Sequence, residues 1–246
     1  MSNFISNNIP NTLTCCNLIS GGVATVYAIG GEARMALIWI IIGAVFDFFD
    51  GMSARLLKVS SPIGKELDSL ADDITFGLAP SAIVFNELCV MDYPSLLEPW
   101  RNYLPFIAFV MAAFSALRLA KFNLDTRQTT SFIGLPTPAN ALFWGSLLVS
   151  HSEWVEASPY NVIAIVVMVL FSSWLLVCEL PMFALKFEHW GLQGNVLRYS
   201  FIALSAFLIV WQGVLGSFWI IILLYILISV ISDIIKRYGT KSCGLA

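Results

Sequence analysis

Apolar residues run through this chain in long blocks separated by short polar gaps. The blocks cover residues 13–29, 35–57, 66–90, 104–123, 138–149, 160–179, 198–212 and 218–236. Most approach the roughly 20 residues that cross a bilayer as a helix. The fifth and seventh are shorter. The gap at 30–34 predicts a tight turn, and 58–65 predicts a polar loop. Residues 213–217 leave room only for a close antiparallel hairpin between the last two blocks. No internal repeat or low-complexity stretch interrupts the series. The pattern predicts an all-α fold, a polytopic membrane helix bundle of about eight transmembrane helices.

Composition narrows this further. Of 246 residues, 58% are hydrophobic and only 12% charged, with a mean hydropathy of +0.81, too little charge to clothe a soluble domain. Five cysteines, Cys15, Cys16, Cys89, Cys178 and Cys243, form no CxxC, and the adjacent pair is unsuited to an ordinary disulfide; all five read as small apolar residues or free thiols. The N-terminus is polar, has no basic region before its apolar run, and predicts no cleavable signal peptide. Residues 1–12 read as an interfacial lead-in, with Pro10 ahead of the first helix. Trp39, Trp100, Trp154, Trp190 and Trp219 fall near predicted helix ends, as an aromatic belt requires.

Charge adds an orientation. With the N-terminus in the cytoplasm, Arg55, Lys58, Lys65, Arg118, Lys121, Arg127, Lys186, Arg198, Lys236, Arg237 and Lys241 all fall inside, and only Arg34 and Arg101 outside. This positive-inside pattern predicts a cytoplasmic-membrane protein with both termini cytoplasmic.

The candidate chemistry lies between residues 47 and 72, DFFDGMSARLLKVSSPIGKELDSLAD. Ionisable residues inside membrane segments are costly and mark functional sites. Asp47 and Asp50 are spaced i, i+3, and Asp68 and Asp72 i, i+4, so each pair shares a helix face. The two helices are consecutive and antiparallel, and both pairs lie toward the connecting loop. Four carboxylates can therefore converge near the cytoplasmic interface. Hard oxygen donors suit Mg²⁺, Mn²⁺ or Ca²⁺ rather than zinc, and four carboxylates suffice for two such ions. Two-metal sites commonly run displacements at phosphorus. Gly51 and Ala54 keep a helix face small, Arg55 could reach a phosphate, and Gly64 could give the loop a turn. Asp73 breaks the spacing and reads as a solvated or capping residue. Two other readings of the acids remain open on spacing alone: an ion pathway in a cation-coupled transporter, which calls for acids at mid-membrane and broken helices, or ion pairs with Arg55 and Lys65.

The pattern D-x2-D-G-x2-A-R-x8-G-x3-D-x3-D is complete here in Asp47, Asp50, Gly51, Ala54, Arg55, Gly64, Asp68 and Asp72. It resembles the signature of the CDP-alcohol phosphotransferases. Pro10, Asn11, Thr14 and Asn17 are similar to that family's P-N-x-x-T-x-x-N opening. The resemblance implies a six-helix core, with the final helix pair an addition, and a division into residues 1–185 and 186–246. It implies that an alcohol attacks the β-phosphorus of a CDP-linked lipid and releases CMP. It implies metal ligation by Asp47, Asp50, Asp68 and Asp72, with Asp72 also the general base. It implies CDP contacts from Asn11, Thr14, Asp50, Gly51, Ala54, Arg55 and Gly64, and relatives of this kind commonly form homodimers.

The acceptor rests on a second segment, RLAKFN at 118–123 followed by FIGLPTPA at 132–139. It is similar to a segment of the CDP-diacylglycerol–serine phosphatidyltransferases, which implies CDP-diacylglycerol and L-serine as substrates drawn from membrane and cytoplasm, and no nucleic-acid partner. Arg118, Lys121, Asn123 and Thr137 are the candidate contacts to the acceptor or lipid phosphate. Lys121 stands where the family often has Arg, keeping the cation but not its bidentate geometry. A basic cluster that sets topology and a proline turn would account for the same residues. Glycerol 3-phosphate and inositol compounds are the other acceptors to weigh.

Overall fold

Each apolar block folds as a helix, because a chain in hydrocarbon must satisfy its backbone hydrogen bonds internally. The computed structural model describes residues 2–59, 61–125, 132–182, 191 and 195–243. Arg127, Lys186 and Trp190 lie outside the described residues, as do the side chains of Lys236, Arg237, Lys241 and Cys243. The helices are α1 (Ser2–Ile29), α2 (Ala33–Leu57), α3 (Pro62–Asp72), α4 (Ala79–Val90), α5 (Val110–Leu124), α6 (Thr137–Ser150), α7 (Ser152–Glu156), α8 (Asn161–Val177), α9 (Val196–Gln212) and α10 (Val214–Cys243). Among the described residues, five stretches are long and apolar enough to cross a membrane: Asn8–Ile29, Ala33–Leu57, Pro62–Val90, Leu104–Leu124 and Val214–Ile235. The shorter α6, α8 and α9 account for the other apolar blocks.

Four local features depart from the sequence reading. Pro10 lies inside α1 rather than ahead of it; its missing N–H leaves one rung open, and the Thr14 hydroxyl oxygen lies 3.0 Å from its carbonyl. The last two helices are separated by Gly213 alone, whose φ of +78° turns the chain without a loop. The third block is not a regular helix: a π turn at Asp73–Leu78 joins α3 to α4 immediately after Asp72. Such turns are rare and concentrate at functional sites. Finally, β1 (Phe132–Ile133) and β2 (Pro181–Met182) form a minimal antiparallel pair in the otherwise helical chain.

Small residues let the helices that carry the acids close on one another. α1 packs along α2 and against α3 and the π turn. A Cβ at Gly21 of α1 would collide with Thr75 in the π turn, and one at Gly43 of α2 would come within 2.5 Å of Thr75 Cγ2 and 2.9 Å of Asn17 Oδ1. Thr75 is fully buried and its hydroxyl donates to the Asn17 carbonyl at 3.0 Å, so the three helices meet at one point. Further along, the buried Trp144 of α6 donates its Nε1–H to Ser172 of α8 at 3.0 Å, satisfying an indole that burial would otherwise penalise. The outward faces remain apolar, with Val26, Val210 and Leu227 among many exposed side chains, as a lipid-facing surface requires.

Candidate active site

The loop between α2 and α3 aims both acid pairs at one end of the bundle. Lys58 ends α2 in a left-handed conformation (φ 52°), and its N–H returns to the carbonyls of Ala54 and Arg55. Ser61 then caps α3, accepting from the Gly64 N–H at 2.9 Å, with Pro62 in the first turn. The turn is thus made at Lys58 and Ser61, not at Gly64. Gly64 lies within α3, where a Cβ would sit 3.0 Å from Asn11 Oδ1 and Ser61 Oγ. Its smallness brings Asn11 close.

Asp47, Asp50 and Asp68 each offer a carboxylate oxygen within 4.8 Å of the others. That spacing fits oxygen ligands sharing a cation, whose metal–oxygen bonds run about 2.0–2.6 Å. Asp72 lies one turn further along α3, close enough to interact electrostatically with all three. Its Oδ1 accepts from Asn17 Nδ2 at 3.0 Å. Asp50 Oδ2 accepts from the Thr14 hydroxyl at 2.6 Å. One face of α1 therefore holds two of the four acids. Asn17, fully buried, is the residue that the sequence reading left out of the site; its place three residues after Thr14, on the same face, is the signal that marks it. Among the described residues neither Arg55 nor Lys65 pairs with the acids. Arg55 Nε donates to the Gly51 carbonyl at 3.0 Å, and Lys65 Nζ to the Asn123 carbonyl at 2.7 Å.

Beside the acids a cleft of about 630 Å³ opens between α1, α2 and α3. Asn11, Thr14, Asp50, Gly51, Ala54, Gly64 and Asp68 line it, with Lys58 and Lys65 at the same end. A Cβ at Gly51 would meet nothing within 4 Å, so this glycine leaves space for a ligand rather than for a neighbouring helix. Arg55 is not part of the lining.

The second segment forms a buried polar wall behind Asp72. Gly134, with φ +75°, is held where a Cβ would sit 2.6 Å from the Leu176 carbonyl, and the Leu135 N–H donates to the Leu175 carbonyl at 2.8 Å. Pro136 and Pro138 then start α6, placing Thr137 and Asn140 in its first turn. Arg118 is only 7% exposed and interacts electrostatically with Asp72. Among the described residues, Arg118 Nε, Thr137 Oγ1 and Asn140 Oδ1 are buried without a hydrogen-bond partner. Asp73 sits at the C-cap position of α3, half-buried, with its Oδ1 turned inward beside Ser115 and Gly77. Lys121 is exposed, and Asn123 Nδ2 donates to Ser69 at 2.7 Å, tying α5 to α3.

A trio of acids for a hard cation, a fourth acid held beside it, and a polar cleft at the ends of apolar helices define a membrane-embedded transferase that handles a phosphorylated lipid. The chain belongs to the CDP-alcohol phosphatidyltransferase family, whose profile matches residues 7–185. It is 35% identical over 187 residues to a CDP-diacylglycerol–serine O-phosphatidyltransferase of Bacillus subtilis, covering 74% of this chain and 91% of that protein. Proteins of the same description in Mycobacterium bovis (29% over 184 residues, 71% of this chain and 60% of the relative) and Helicobacter pylori (34% over 135 residues, 54% of each) are also similar. The chain therefore spans nearly all of the first relative and little more than half of the other two.

Proposed function

We propose that this protein transfers the phosphatidyl group of CDP-diacylglycerol to the hydroxyl of L-serine, releasing CMP. The observation that carries the reading is Asp72, fixed by Asn17 beside the three clustered acids and within electrostatic reach of the buried Arg118. The cleft along Asn11, Thr14, Gly51, Ala54 and Gly64 takes the CDP moiety. Asp47, Asp50 and Asp68, with Asp72 on their edge, would hold one or two Mg²⁺ or Mn²⁺ ions, which supply charge neutralisation for the diphosphate and the departing CMP. Serine lies against the α5–α6 wall, its carboxylate toward Arg118 and its hydroxyl toward Asp72. Asp72 takes the hydroxyl proton as the serine oxygen bonds to the β-phosphorus. The bond from that phosphorus to the CMP oxygen breaks, leaving phosphatidylserine, CMP and a proton on Asp72. Thr137 and Asn140 offer unpartnered polar atoms to the acceptor.

The active end faces the cytoplasm in this reading. Lys58 and Lys65 line the cleft, and the Lys65–Asn123 bond brings the basic end of α5 to the same side. Arg34 and Arg101 lie at the opposite end, in a second cleft and against the Met91 carbonyl respectively. Purified protein given Mn²⁺ or Mg²⁺, CDP-diacylglycerol and labelled serine is expected to yield CMP and a labelled serine lipid in equal amounts. No product from serine alongside product from glycerol 3-phosphate would reject the acceptor and leave the chemistry standing.

A further inference from the structure

α5 meets the acid-bearing block at two points. At the first, Asn123 in its last turn closes a ring of hydrogen bonds with α3. Asn123 Nδ2 donates to the Ser69 hydroxyl at 2.7 Å, that hydroxyl donates to the Lys65 carbonyl at 3.3 Å, and Lys65 Nζ donates to the Asn123 carbonyl at 2.7 Å. At the second, Ser115 packs on the π turn, where a Cβ at Gly77 would come within 3.0 Å of Ser115 Cβ. Ser69 thus meets Asn123 and Gly77 meets Ser115, so the two segments run in opposite directions. The residue interval between the two contacts is the same on both.

The ring uses each group in a role it can fill. A hydroxyl has one proton and can also accept, so Ser69 gives to Lys65 and receives from Asn123. The Lys65 ammonium lies at the end of α5, where carbonyls without helical partners gather partial negative charge. Two of the three bonds cross between the helices, so sliding one helix along the other breaks both. The reacting groups lie between the two contacts. Lys65, Ser69 and Asp72 follow at i, i+4 and i+7 and share a face of α3. Asp72 stands three residues beyond Ser69, and the buried Arg118 five residues before Asn123. At about 1.5 Å per residue, both lie within about 8 Å of the ring along their own helices.

We propose that Asn123 is a positioning residue: it sets the register of α5 on α3 and so holds Arg118 level with Asp72. The proposal rests on the reading of Asp72 as base and of Arg118 as the group that meets the acceptor. It gives Asn123, a candidate acceptor contact by its place in the sequence, the task of aligning the acceptor without touching it.

The test follows CMP release by Asn123→Ala, Ser69→Ala, Ser69→Thr and the double alanine variant, with serine and CDP-diacylglycerol varied in turn. Each alanine variant removes the same bond and leaves Lys65 on the main chain of α5, so the thermal midpoint in detergent should stay near wild type. Each is expected to lower kcat about tenfold, a fraction of the roughly hundredfold that a 1 Å misplacement can cost. The KM for each substrate should stay within twofold. The double variant should lose no more than either single one, because both remove one bond. Ser69→Thr keeps the hydroxyl and should recover most of the rate, which a loss of folding would not permit. A kcat within twofold of wild type in Asn123→Ala overturns the proposal. So do losses that multiply in the double variant, and so does a raised serine KM confined to Asn123→Ala, which would make Asn123 an acceptor contact. If wild type ignores serine and uses glycerol 3-phosphate, the serine reading fails by itself, and the same kcat comparison with that acceptor decides the role of Asn123. Normal turnover by Asp72→Asn alongside slow Asn123→Ala would reject the base and keep the register.

Discussion

At the residue scale, the four acids divide by their partners. Asp50 is held by Thr14 and Asp72 by Asn17, while Asp47 and Asp68 show no such tether among the described residues of α1. Replacing Asp72 with Asn preserves size and the contact to Asn17 but removes proton acceptance. CMP release is expected to fall by about 10²–10⁴-fold, the usual worth of a general base. Binding of CDP-diacylglycerol, measured by calorimetry in detergent, should change little. Near wild-type turnover would dismiss Asp72 as the base. Thr14→Val is the corresponding test of the tether. With the donor to Asp50 Oδ2 lost, the metal concentration giving half-maximal activity should rise about tenfold or more, as when outer partners of metal ligands are removed. An unchanged metal titration would reduce Thr14 to a cleft-lining residue.

At the element scale, two glycines of α2 with the same sequence appearance do different work. Gly43 faces Thr75 and Asn17 at distances no Cβ tolerates, whereas Gly51 faces open cleft. Gly43→Val should push α2 away from the π turn, costing about 1–3 kcal/mol or more in the manner of an overpacked core. A clear drop in the thermal midpoint in detergent is the readout. Gly51→Ala should leave the midpoint unchanged and weaken CDP-diacylglycerol binding. The reverse outcome for either variant would invalidate this assignment. The π turn also sets where the Asp73 side chain goes. A regular helix would place it a fixed 100° from Asp72, on the polar side. The extra residue in the turn instead brings it beside Ser115 and Gly77.

At the scale of the molecule, orientation is the property most open to direct test. Leu96 is 82% exposed in the loop after α4, and Leu124 is 85% exposed at the end of α5. In a background lacking the native cysteines, a membrane-impermeant maleimide should label Leu96→Cys on intact cells. Leu124→Cys should react only after permeabilisation. The opposite pattern would invert the bundle and with it the side from which serine arrives. Chelation provides a second whole-protein test. Removal of divalent ions should abolish CMP release, and restoring Mg²⁺ or Mn²⁺ should recover it; full activity in excess chelator would exclude the proposed metal role of the acids.

Much of this was legible along the chain because the bilayer imposes strong local rules. Apolar block length specifies helices, and the spacing of Asp47, Asp50, Asp68 and Asp72 specifies shared faces; the lysine and arginine distribution supplies the orientation put to the labelling test. These properties need only a residue and its near neighbours. The rest depends on contacts between distant segments. That Asn17 grips Asp72 across 55 positions could not be read from either residue alone, and the commitment of Asn123 to Ser69 spans 54. The same holds for the π turn. A sequence determines which faces a helix presents; the packing of one helix on another decides which of those faces meet. Here that packing turns four acids at regular spacing into three that cluster and one set apart beside a buried arginine.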